Sequence, residues 1–358
     1  MAVGASAQSW GWRRRAGLVA IGLALSIGCV GSHEDVGQLA ERARLGRLAT
    51  NRGCEGCHRD IAREWQSSRH RASASNVAFL SAFARESDPF CWDCHAPEAR
   101  GDRGVESAAS HAGVACVTCH LDAHGTILSA NLGQARRAPH AVSPSAALRG
   151  SSACARCHEF AFPNQAPAGR EMMQSTVSEH RGSAFAGQSC SACHMPRVGA
   201  DQHRSHALAA TRDPDALRRA LQVSAQRSGG ALRVRVAPQG VGHAFPTGDL
   251  FRRLTVVVEA LDGTRVVRRE RRYLARHFVH RIQPDGVSRR EQIADDRPGA
   301  HAADGGAVEV DVDFGSAGAG RKLWWQVAYE RVDNLSGDSE DGAAVREAVI
   351  LASGAVEP

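Results

Sequence analysis

Residues 190–196 read CSACHMP, and the C-x-x-C-H pattern inside them also begins at Cys54, Cys91, Cys116 and Cys154. The chain has 358 residues, with 11 Cys and 17 His. At those frequencies a chance match is expected about 0.02 times, so five copies are a signal. Ten cysteines fall into the pairs Cys54/Cys57, Cys91/Cys94, Cys116/Cys119, Cys154/Cys157 and Cys190/Cys193. Each pair is followed at once by His58, His95, His120, His158 or His194. Only Cys29 stands apart.

The chemistry that needs this spacing is covalent haem attachment. Two thiols three positions apart can add to the two vinyl groups of one porphyrin, and the adjacent imidazole reaches the iron as its proximal ligand. A disulfide framework does not require a histidine after every second cysteine. Structural zinc pairs its C-x-x-C knuckles, and five knuckles leave a remainder. Five covalently attached haem c groups are therefore expected.

The two parts of the chain differ in composition. Cys54 to His194 spans 141 residues, about 28 per motif, with few apolar runs. Such a segment cannot build a conventional side-chain core, so the haems must supply it. Apolar recurrence predicts helices at 36–50, 59–85, 171–186 and 213–223, which would put Met172 and Met173 on a packed helix face. From about residue 230, β-branched runs take over: ALRVRVAP, LTVVVEAL, TRVVRRERRYLA, VEVDVDF and KLWWQVAYERV, punctuated by Asp262-Gly263 and Asp285-Gly286. The expected fold class is α+β multidomain. A haem-packed, mainly helical and loop-rich multihaem cytochrome c domain spans 30–215, and an antiparallel β-sandwich spans 216–358.

Residues 1–29 suggest export. Arg13, Arg14 and Arg15 precede the apolar run AGLVAIGLALSIG, which suits a signal peptide better than a membrane span. LSIGC resembles a lipobox, with Ser26 where Leu is usual, and would make Cys29 the acylated residue. The expected location is the periplasmic face of a bacterial membrane, with a lipid anchor.

EWQSSRH (Glu64 to His70), GVACVTCH (Gly113 to His120), SACARCHEFAFP (Ser152 to Pro163), SCSACHMP (Ser189 to Pro196) and GHAFPTG (Gly242 to Gly248) resemble segments of multihaem cytochromes c related to the tetrahaem electron carrier that serves hydroxylamine oxidoreductase. The resemblance covers roughly residues 50 to 260. It implies bis-histidine haems, and its W-x-x-S-x-H element implies a distal ligand at His70. His140 and His206 also sit in segments resembling family ligand segments. His124 and His243 complete the distal candidates, with His111, His180 and His203 in reserve. EHRGSAF (Glu179 to Phe185) echoes Glu64 to His70 but puts Phe185 where the ligand stands, which leaves one haem's coordination open.

Two functions follow. The first is electron transfer along largely bis-histidine haems, which needs no open iron. The second is a multihaem oxidoreductase that reduces a small nitrogen or sulfur oxyanion at one open haem. The pentahaem nitrite reductases in their commonest form use C-x-x-C-K, whereas the single lysine here, Lys322, is far from any cysteine. Hydroxylamine oxidoreductase cross-links its catalytic haem to tyrosine, and Tyr273 and Tyr329 both lie in the predicted sandwich. Electron transfer is the favoured expectation, with no catalytic residue assigned. The net charge of +6 is almost wholly arginine, concentrated in RVVRRERRYLARHFVHR (Arg265 to Arg281). That stretch suits an acidic redox partner protein; nucleic acid is not expected for an exported haem protein.

Overall fold

A C-x-x-C-H motif fits a single helical turn, where positions i and i+3 share one face. In the computed structural model, α4 (Cys91–His95), α6 (Cys116–His120) and α10 (Cys190–His194) begin on the first cysteine and end on the histidine. The fourth motif occupies α8 (Ser152–His158). The first closes α1 (Val36–Cys57), and His58 stands at the N-cap of α2 (Arg59–Gln66). The structure describes residues 36–85, 87–99, 107–130, 138–162, 171–208, 213–282, 284–300, 306–333 and 342–358. The expected signal peptide and Cys29 lie outside them.

Between the motifs run α3 (Val77–Arg85), α5 (Ala108–Ala112), α7 (Ala146–Arg149), α9 (Thr176–Arg181) and α11 (Pro214–Arg219). Two-stranded pairs join β1 (Leu128–Ser129) to β2 (Ser143–Pro144), β3 (Glu159–Ala161) to β4 (Met172–Ser175) and β5 (Arg197–Val198) to β6 (His203–Arg204). Side-chain cores here are small. One gathers Leu48, Ala74, Phe79, Trp92, Ala96, Ala99 and Ala109, and another Trp65, Ala115 and Val117.

The β half is built differently. β7 (Leu221–Ser228), β8 (Ala231–Pro238) and β13 (Val308–Asp313) form one antiparallel sheet in the order β13-β8-β7. β9 (Arg252–Asp262), β10 (Arg265–Leu274), β14 (Lys322–Val332) and β15 (Val345–Val356) form a second, ordered β10-β9-β14-β15. β11 (Arg276–Ile282) and β12 (Ser288–Asp295) make a separate hairpin. Alternation sets the inner face: Leu232, Val234 and Val236 are fully buried, while Arg233 and Arg235 point outward. Nineteen buried residues from both sheets, β10's Leu274 and α11's Leu217 among them, make one apolar cluster. Asp262-Gly263 and Asp285-Gly286 turn the β9–β10 and β11–β12 hairpins, with both glycines at positive φ. The arginine-rich β10 lies on a sheet edge, where charge resists unwanted strand pairing.

Several local expectations need correcting. The helix expected at 59–85 is broken by turns at 67–76, because Ser68, Ser73 and Asn76 bond nearby backbone and compete with helical pairing. The helix expected at 171–186 begins as strand β4, so Met172 pairs with Ala161 of β3 and Met173 sits at the shift of register beside it, neither packing on a helix. The helix expected at 213–223 stops at Arg219, because Leu221 starts β7. Periodicity also missed β7, β11, β12 and β15, whose polar residues face solvent.

Two buried arginines join the halves. Arg276 donates to the carbonyls of Met172 and Met173 and to Gln292 Oε1. Arg297 donates to Pro246 O at 2.8 Å and ion-pairs with Glu179 and Asp295, each at 2.7 Å. Their burial is tolerated because these partners satisfy the guanidinium donors.

Leu232→Ala removes a fully buried side chain from the shared core of the two sheets. It is expected to cost about 2–5 kcal/mol, read as a lowered denaturant midpoint at unchanged slope.

Candidate functional site

All five motif histidines and nine of the ten motif cysteines line one cavity of about 2080 Å³. A single small-molecule site typically measures ~300–1,000 Å³, so this space suits several large groups. Apolar walls and inward thiols and imidazoles make it a fit container for covalently attached porphyrins.

The imidazoles come in pairs. Ring centroids lie 6.3 Å apart for His58 and His140, 6.3 Å for His70 and His158, 6.1 Å for His120 and His206, and 6.1 Å for His194 and His243. A metal ion sits about 2 Å from a ligating imidazole nitrogen and roughly 3.2 Å from the ring centroid, so two rings flanking one ion have centroids about 6.3 Å apart. Each pair joins one motif histidine to one histidine outside the motifs.

Hydrogen bonds orient the rings for that task. Nδ1 of His120 donates to Leu128 O at 2.9 Å, that of His206 to Arg204 O at 2.8 Å and that of His243 to Ala244 O at 2.9 Å. Spending Nδ1–H on a carbonyl leaves Nε2 free for a metal. Burial lowers the pKa of His158, His194, His206 and His243. Burial, and then the neighbouring His158 and His206, push His70 down to about 4. The neutral ring that results at pH 7 is the form that binds iron.

Local structure explains each placement. His70 sits on the turns after α2, where Trp65 Nε1 donates to Val114 O at 2.8 Å and Val114 N donates to His70 O at 2.9 Å. Gly113, at φ +58, lets these backbones meet; a Cβ there would lie 2.4 Å from His70 O. His206 is held through its backbone N–H, which donates to Glu64 at 2.9 Å. His243 lies in the loop between β8 and β9, just before the cis Phe245-Pro246 bond. A Cβ on Gly242 would stand 2.9 Å from Phe185 Cβ, so this loop packs directly against the residue that lacks an imidazole in the internal echo. His243, from the β half, meets His194 instead.

The remaining candidates lie elsewhere. His124 is exposed on a turn, its backbone N–H bound to Asp122 Oδ1, and does not line the cavity. His203 is held between Asp201 and Glu64, His180 lines the cavity beside His194, and His111 is exposed.

His95 is different. Its ring stacks on Phe79 at 4.2 Å, and its Nδ1 bonds Ser73 O at 2.8 Å. Among the described residues, no second imidazole is paired with it. The charged groups acting on it are Asp249 and Arg331, from the β half. Sequence patterns gave no sign of these two, because charged residues near strand ends are ordinary. Nor did they reveal Arg47, which fastens α1 to the third motif through Glu98 and the carbonyl of Val117.

The motifs also touch one another. Cys94 and Cys157 hydrogen-bond, as do Cys154 and Cys190, while Cys119 lies within electrostatic reach of Cys157, and Cys54 of Cys116. The fourth motif is thus adjacent to the second, third and fifth.

Gly113→Ala is expected to displace the His70 segment at a cost of at least ~1 kcal/mol. A lowered denaturant midpoint would check the cost. In haem-loaded protein, partial loss of the low-spin signal from the His70/His158 pair would check the displacement.

Residues 53–121 match the family described as cytochrome c554 and c-prime. A comparison with curated proteins finds no match. Among solved structures, the chain resembles a penta-heme cytochrome c552 from Thermochromatium tepidum, with a TM-score of 0.59 and 20% identity over 85% of this chain and 97% of that one. At that identity the likeness is one of fold. The matched segment carries the first three C-x-x-C-H motifs.

Proposed function

We propose that this chain is a pentahaem c-type cytochrome in which four haems are held between His58/His140, His158/His70, His120/His206 and His194/His243, while His95 is the only imidazole on the fifth among the described residues. The observation that carries this reading is the set of four ring pairs at 6.1–6.3 Å. Bound haem supplies one-electron chemistry at a potential set by axial ligands and burial. Burial keeps His70, His158, His194, His206 and His243 neutral, backbone carbonyls orient the rings of His120, His206 and His243, and the thiols of neighbouring motifs touch, which suits electron transfer with the fourth motif as the junction.

The lone His95 favours a second activity on the same scaffold, in which the fifth haem keeps a position for a small molecule. The relation to a carrier serving hydroxylamine oxidoreductase remains part of this reading, resting on the resemblance of EWQSSRH and GHAFPTG. Export to the periplasmic side, with Cys29 as a lipid anchor, also belongs to it and rests on residues 1–29. No helix among the described residues is long and apolar enough to cross a membrane. An acidic redox partner would meet β10. There Arg265, Arg269 and Arg272 already pair with Asp262, Glu259 and Glu270, so the attraction would be weaker than the arginine count suggests.

Intact mass of protein from a c-type maturation system should show five haems, and electron paramagnetic resonance of the oxidised form four low-spin centres and one high-spin centre. Carbon monoxide should bind one reduced haem per chain. His243→Ala should retain all five haems, add a second high-spin centre that binds carbon monoxide, and raise its potential. Four or fewer haems in matured protein, or an unchanged spectrum in folded His243→Ala, would contradict the assignment.

A further inference from the structure

Four motif histidines face a second imidazole, and His95 faces the β half. One side of the His95 site is closed by packing: Phe79 stacks on the imidazole, Phe83 and Trp92 stack on or against Phe79, and Ser73 takes Nδ1. Phe79 and Phe83 lie on α3, whose last residue, Arg85, donates to Asp333 O at 2.9 Å. Asp333 follows β14, which carries Arg331, so that contact fastens the end of β14 beside the helix backing His95. Asp249 lies in the loop before β9 and pairs with Arg331 at 3.3 Å and Arg252 at 3.2 Å. All three line the same cavity as His95. Burial opposes ionisation of Asp249, but Arg252 and Arg331 outweigh it and hold the carboxyl down at about 2.

Two guanidinium groups and one carboxylate leave a net positive charge on side chains only 17–22% exposed, where screening by water and salt is weakened. Guanidinium forks match the paired oxygens of a small oxyanion. Resting on the reading that the fifth haem keeps an open position, we propose that Arg331 and Arg252, braced by Asp249, form a β-domain wall over that position and make it a binding site for small oxyanions. The β half then does more than donate His243. It selects the charge of what reaches the His95 site.

The test uses the full-length, haem-loaded protein, with nitrite as the anionic probe of the oxidised form, followed by optical titration and by loss of the high-spin signal, and carbon monoxide as the neutral probe of the reduced form, followed by optical titration. Wild type should bind one equivalent of each. Arg331→Gln should weaken nitrite at least tenfold and leave carbon monoxide unchanged, whereas Asp249→Asn, which removes the opposing charge, should tighten nitrite. Opposite shifts in the two variants cannot come from misfolding, which would weaken both. Absence of a high-spin haem and of carbon monoxide binding in wild type would overturn the open position itself. Carbon monoxide binding with no nitrite binding, or with nitrite affinity unmoved by both substitutions, would overturn only the oxyanion wall.

Discussion

The separation of paired imidazoles is the constraint on which the rest of this molecule depends. Rings at 6.1–6.3 Å are too far apart to stack and too close to leave an empty cavity between them. A metal in a flat macrocycle accounts for such a distance, since each nitrogen must reach the same ion. The short helices, the two-residue strands and the turns at 67–76 follow from it, because each places one ring opposite another. The side-chain cores of this half hold seven and three residues, which is too little apolar burial to order so much irregular backbone without the groups that fill the cavity.

The β half has the opposite economy. Its nineteen-residue core is continuous across two sheets and needs nothing bound. That self-sufficiency makes it a firm support for irregular loops, and the loop between β8 and β9 uses it to carry His243 into the other half. Arg297 couples the two by bonding Pro246 O and Glu179 at once, while Thr247 also reaches Glu179 at 2.6 Å. His243, brought across this junction, pairs with His194 beside the Phe185 that stands where the internal echo would have an imidazole. The same arrangement brings Asp249 and Arg331 to the His95 site, so one end of the sandwich reaches both His194 and His95.

Much of this was legible in the sequence. Five C-x-x-C-H motifs name their own chemistry because the spacing between thiols and imidazole is local and survives any fold. The β-branched runs of β8, β9, β10, β13 and β14 declared themselves, β8 and β13 because alternation reports burial on one face and β9 because a continuous apolar run reports burial on both. The turn glycines at 263 and 286 did so because only a positive φ closes those hairpins. Local chemistry could not say which histidine meets which motif. His70, His140, His206 and His243 stand in pairs while His124 turns outward, and these choices depend on contacts across 46 to 88 residues of chain. Nor could it show that His95 has no imidazole partner among the described residues, or that Asp249 and Arg331 take that side. The sequence alone determined which residues can attach and ligate, since that is a property of side chains at short range. Only the tertiary structure decided the pairing and the exception, since those depend on which distant segments pack together.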